Sequence, residues 1–130
     1  MSVTTLERVK VKRGDTFTEK LRAELRPGFH VNSNTPADEY LIPIRLTWSK
    51  GAAEAGQVIY PKPQMESLPF SEKPVSVFSG VFEIATRFKA SSSAAPGMST
   101  MSGKLRYQAC NNKECLPPRT VEVSFPIDLQ

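Results

Sequence analysis

The only two cysteines of the chain stand close together, in the run Cys110-Asn111-Asn112-Lys113-Glu114-Cys115. Sulfurs this close can join with little rearrangement of the chain. The product is either a structural bridge or a dithiol that exchanges with sulfurs of another protein. The loop closed is very short, so chain entropy assigns the bridge only about 2 kcal/mol. A chain of 130 residues buries roughly two-thirds of its unfolded surface, so its fold should not depend on that contribution. Lys113 and Arg119 are cations that favour a thiolate nearby, and Glu114 opposes it. Pro117 and Pro118 stiffen the exit and keep the loop out of a regular ladder. A structural zinc site normally needs four ligands, and only His30, the single histidine, could join the two cysteines. No metal and no organic cofactor is expected.

The rest of the chain supplies a β scaffold. Phe17, Leu21, Ala23 and Leu25 alternate with Thr18, Lys20, Arg22 and Glu24. Tyr40, Ile42, Ile44, Leu46 and Trp48 repeat the pattern, as do Phe82, Ile84 and Phe88. Leu105, Tyr107 and Ala109 do so again, and Val121, Val123, Phe125, Ile127 and Leu129 close the chain. A period of two marks strands with one buried and one wet face. Gly14-Asp15, Pro27-Gly28, the run from Asn32 to Pro36, Lys50-Gly51 and the soft stretch from Ser91 to Gly97 read as turns. Eleven prolines argue against long helices, and only a short helical turn near Ala52 to Ala55 is expected. One all-β domain over residues 1–130, an antiparallel β-sandwich, is the architecture this pattern predicts. The cysteines then fall in one late hairpin, with residues 111–118 as its loop and Arg119 to Phe125 as the returning strand. Alternation places Cys110 with Lys104, Arg106 and Gln108 on the outer face.

The formal charge of +4 is mild and spread along the chain. Basic clusters interleaved with aromatics are missing, so no nucleic-acid partner is expected. No stretch approaches the roughly 18 apolar residues of a membrane span. The first residues lack the basic and apolar regions of a signal peptide, which leaves a cytosolic protein or a domain whose leader is absent from this chain. A stable bridge favours an oxidising compartment.

The run Leu105-Arg106-Tyr107-Gln108-Ala109-Cys110, followed by Cys115 and Pro117-Pro118, resembles a signature of the N-terminal periplasmic domain of the thiol:disulfide interchange protein DsbD. Pro27-Gly28-Phe29-His30-Val31-Asn32, Tyr40-Leu41-Ile42-Pro43, Tyr60-Pro61 and Phe78-Ser79-Gly80 follow that domain's order. The resemblance spans Val9 to Phe125. It implies an immunoglobulin-like sandwich in the periplasm that relays reducing equivalents by thiol–disulfide exchange. Electrons would come from a membrane-embedded or thioredoxin-like donor. They would pass, through mixed disulfides, to oxidised disulfide isomerases or cytochrome-maturation proteins. Cys110 and Cys115 become the redox pair, with Cys115 forming mixed disulfides and Cys110 resolving them. Phe78 becomes the candidate aromatic cap over the pair, with a core position in phase with Phe82 and Ile84 as its alternative, and His30, Asn32 and Tyr107 become candidates to line or tune it. The domain would act as a monomer and could belong to a larger membrane protein. In the best-known members five residues separate the cysteines, and here four do.

A rival reading is a binding or structural sandwich with an inert bridge. Its working surface would be the loops after Pro27 and from Pro61 to Pro74.

Overall fold

The computed structural model describes residues 1–4, 7–36, 40–67 and 73–130. Residues 68–72 of the Pro61 to Pro74 stretch lie outside the described residues. In chain order the strands are β1 (Ser2–Val3), β2 (Val9–Val11), β3 (Thr16–Glu24), β4 (His30–Asn32), β5 (Arg45–Trp48) and β6 (Ala53–Ile59). They continue as β7 (Gln64–Glu66), β8 (Val75–Ser79), β9 (Val81–Ala90), β10 (Gly97–Tyr107), β11 (Ala109–Cys110) and β12 (Arg119–Leu129). Among the described residues these form three four-stranded sheets, ordered β1-β3-β9-β6, β2-β12-β10-β5 and β11-β4-β8-β7. Every strand pairing among the described residues is antiparallel except that of β12 with β2.

The alternation of the sequence accounts for the first two sheets. Leu21 faces Ile84 and Phe17 faces Phe88 across β3 and β9. Met101 faces Phe125 and Leu105 faces Val121 across β10 and β12. The two sheets meet face to face through aromatic rings. Phe88 packs edge-on against Phe125 with centroids 5.4 Å apart, and Trp48 meets Phe88 at 5.2 Å. The indole Nε1–H of Trp48 donates to Thr86 Oγ1 at 3.0 Å, which satisfies a buried hydroxyl between the layers. Gly103 has no room for a side chain. A Cβ there would lie 2.7 Å from both the Thr47 carbonyl oxygen and the Trp48 ring. This is the antiparallel sandwich that the period-two runs predict.

Two local expectations change. The Tyr40 run becomes a strand only from Arg45, because Pro43 lacks the N–H a ladder needs. The expected helical turn near Ala52 is instead the start of β6, where Ala53 pairs with Ala90. One isolated helical turn is costly to nucleate, whereas the edge of β9 offers ready partners. The sequence pattern also passes over Glu19, which occupies an inward position of β3 and is buried. Burial, with a smaller contribution from Glu7, pushes its carboxyl up to about 7.

The third sheet carries the cysteines. One face, formed by Val31, Phe78 and Ala109, completes the main core. The opposite face also lies largely out of water. Val75 and Val77 form a second small cluster there with Leu41 packed on it. The Asn32 side-chain amide donates to the Ile42 carbonyl at 3.0 Å, so the segment before β5 is tied over this face. Gly80, at φ 64°, turns the chain from β8 into β9 and so from the third sheet into the first. The Leu25 N–H donates to the Gly80 carbonyl at 2.8 Å and holds that corner.

Candidate redox site

The site begins where β10 ends. After Tyr107 the chain leaves the β12 ladder at Gln108 and restarts as β11 beside β4. Ala109 then pairs with Val31 and Cys110 with His30. A tight reverse turn follows. Asn111 Oδ1 accepts the backbone N–H groups of Lys113 and Glu114, both at 2.8 Å. The Asn111 N–H donates to the Glu114 carbonyl at 2.9 Å. Such self-bonding is why asparagine favours this position. The Leu116 N–H donates to the Ala109 carbonyl at 2.8 Å, and the Gln108 amide donates to the Leu116 carbonyl at 3.1 Å. The turn therefore sets Cys115 against Cys110 with Cα atoms 4.0 Å apart, and the two are joined in a disulfide.

The two sulfurs belong to unlike environments. Cys115 lies on the exposed hairpin, whereas Cys110 is 2% exposed. The alternation correctly separates Cys110 from the main-core side of the sheet, but it implies solvent on the other side. That part is overturned. Cys110 shares its face with His30, Asn32, Val75 and Val77, and all of them are buried. What a single strand pattern reads as an outer face is therefore buried here.

The remaining candidates divide. His30 is directly opposite Cys110 and is 4% exposed. Desolvation lowers its pKa from the usual 6.5, while the carboxylate of Glu66 acts in the other direction. Asn32 follows on the same face of β4 and is buried, with its amide committed to Ile42. Tyr107 belongs to the main core. Phe78 does too, at 3% exposure, with its ring 5.1 Å from that of Phe82. Its register partner is Val31, whereas that of its neighbour Ser79 is His30. Parity thus turns Phe78 to the opposite side of the sheet from Cys110, and it is a core residue rather than a cap over the pair.

Glu66 was not visible as a site residue in the sequence. It reaches His30 through two ladders, β4 to β8 and β8 to β7, and no local spacing announces that route. Its Oε2 lies 4.0 Å from His30 Nδ1. Among the described residues no three His, Cys, Asp or Glu side chains gather as metal ligands. A surface depression of about 560 Å³ near Phe17, Ala55 and Arg87 lies on the first sheet and shares no residue with the cysteine site.

A β-sandwich with a bridged cysteine pair on a tight hairpin is consistent with thiol–disulfide exchange. Residues 1–126 match the family described as "Thiol:disulfide interchange protein DsbD, N-terminal", and the chain belongs to that family. Among solved structures it is similar to the Neisseria meningitidis DsbD N-terminal domain in the reduced form. The identity is 18%, the match covers 82% of this chain and 74% of that one, and the TM-score is 0.56. That likeness supports the immunoglobulin-like sandwich. The major subunit of aggregative adherence fimbriae from Escherichia coli matches at 8% identity, covering 99% of this chain and 93% of that one, with a TM-score of 0.44. A family 123 glycoside hydrolase from Clostridium perfringens matches at 16%, covering 97% and 23%, with a TM-score of 0.39. Both are too loose to bear on function. No curated protein matches the chain.

Proposed function

We propose that this chain is a periplasmic thiol–disulfide exchange domain that relays reducing equivalents to oxidised partner proteins through Cys110 and Cys115. The observation that carries this reading is the asymmetry of the pair. A bridge built only to staple the fold has no need to present one cysteine and bury the other. In the reduced domain, the thiolate of Cys115 attacks a partner disulfide and forms a mixed disulfide, releasing one partner sulfur as thiolate. Cys110 then attacks Cys115. The Cys110–Cys115 bond forms, the mixed disulfide breaks, and the second partner sulfur leaves. Two electrons pass to the partner, whose disulfide becomes a dithiol. Fitting partners are thioredoxin-like domains, disulfide isomerases and cytochrome-maturation proteins.

The test is a trapping experiment with the reduction potential beside it. Cys110→Ser should accumulate a mixed disulfide on Cys115 with an oxidised thioredoxin-like partner, and Cys115→Ser should not. A potential below about −300 mV with no exchange would identify an inert staple instead. A Cys115→Ser chain that trapped partner on Cys110 would reverse the assigned roles.

A further inference from the structure

A row of side chains crosses the third sheet. Cys115 bridges Cys110, Cys110 pairs with His30, and His30 pairs with Ser79. Directly opposed residues of an antiparallel ladder share a face, with Cβ atoms roughly 4.5–5.5 Å apart. The imidazole therefore neighbours the buried cysteine of the pair. β7 completes the arrangement. Glu66 lies 4.0 Å from His30 Nδ1, and Gln64 Oε1 accepts the Ser79 hydroxyl at 2.8 Å. Among the described residues, the titratable groups facing His30 are Cys110 from β11 and Glu66 from β7, while β8 presents the uncharged Ser79.

The chemistry gives this row a task. Only a thiolate attacks a disulfide, and a free thiol near pKa 8.5 is about 3% ionised at pH 7. Burial disfavours the thiolate further. Cys110, the sulfur assigned to resolution, is thus the one least able to ionise unaided. A neutral imidazole beside it is a ready base, and burial keeps His30 neutral at pH 7.

We propose that His30, oriented by Glu66, accepts the proton of the Cys110 thiol as that sulfur resolves a mixed disulfide on Cys115. The proton moves to the imidazole as the Cys110–Cys115 bond forms. The partner sulfur departs with the electron pair of the broken bond, and the imidazolium then returns its proton to solvent or to that thiolate. The charge on the ring is transient and faces Glu66. This inference rests on the exchange function proposed above, and the following experiment separates the two.

The reduced full chain is mixed with 5,5′-dithiobis(2-nitrobenzoate). The first thionitrobenzoate is released when Cys115 is capped, and the second when Cys110 attacks that cap. At pH 7 the second release should be about tenfold slower in His30→Gln, because an unaided thiol is mostly protonated there. The deficit should close once pH is high enough for the thiol to ionise by itself. Glu66→Gln, at a half-exposed position, should slow the same step about threefold without threatening the fold. Equal second phases, or a deficit constant across pH, would overturn the role of His30. The wild-type chain supplies an independent reading, since His30 is its only histidine. The NMR titration midpoint of that ring should differ between oxidised and reduced protein, and an identical midpoint would also overturn the proposal. A wild-type chain in which neither sulfur reacts would overturn the exchange function and this inference with it. A normal first release with an unaffected second one overturns the inference alone.

Discussion

Reduction of the Cys110–Cys115 bridge should leave the domain folded and weaken it by a small, calculable amount. The cysteines are five positions apart in sequence. Chain entropy for a loop of that size corresponds to about 2 kcal/mol at 25 °C. A chain of 130 residues carries a stability on the order of 5–15 kcal/mol, so most of it survives. The midpoint of thermal unfolding should fall by roughly 6–10 °C on reduction. The same cycle constrains the potential. Folding must stabilise the disulfide by as much as the disulfide stabilises the fold. At about 1.4 kcal/mol per 30 mV, the native pair should be only about 45 mV more reducing than the same pair in the unfolded chain. Calorimetry with and without reductant measures the first quantity. Redox equilibration against glutathione or dithiothreitol, in buffer and in denaturant, measures the second. Unfolding on reduction at 25 °C would refute the reasoning, as would a gap beyond about 100 mV. Either result would mean that the fold is built around the bridge.

Other expectations concern the scaffold. Glu19→Gln should stabilise the protein at high pH and change little at low pH. The raised carboxyl of about 7 means that the native state holds a proton the unfolded state loses above 4.5, so wild-type stability falls as pH rises between those values. Partial solvent access screens the effect to about 1–2 kcal/mol, which urea midpoints at pH 4 and pH 8 would resolve. Phe78→Ala should cost about 3–5 kcal/mol by opening a core cavity, while the capping rate of Cys115 in the folded fraction stays unchanged. A large gain in that rate without loss of stability would restore Phe78 as a cap. Arg45→Thr should raise stability by about 0.2–1 kcal/mol at low salt, because Arg45 and Arg106 are directly opposed across β5 and β10. The gain should shrink as salt screens the pair.

The parts of this protein that obey local rules were legible in the sequence. Leu21, Ala23, Ile84, Phe88, Leu105 and Phe125 reveal their strands because one face of each meets a continuous core. The cysteine hairpin was legible for a related reason, since asparagine, short spacing and paired prolines act within one turn. Legibility ended where a third layer intervened. The strand pattern says which side of the sheet Cys110 takes, but not that this side is buried, with Leu41 packed on Val75 and Val77. Glu66 and His30 are 36 residues apart and meet only through the intervening β8. Glu19 breaks the apolar phase of β3, and nothing local distinguishes such a break from a slip in register.

The third sheet also explains how a dithiol can change state on a scaffold that does not. Its inner face is fixed in the main core by Val31, Phe78 and Ala109. Its outer face carries Cys110, His30 and Asn32 beside Val75 and Val77, on which Leu41 packs. Opening the Cys110–Cys115 bond removes one tie across the hairpin, but the backbone bonds that link Leu116 to Ala109 and Asn111 to Glu114 do not involve sulfur. The cysteines can therefore separate by side-chain rotation while the turn stays closed. A couple held this way keeps Cys110 near the imidazole in both states. That is the condition under which His30 can receive its proton during resolution.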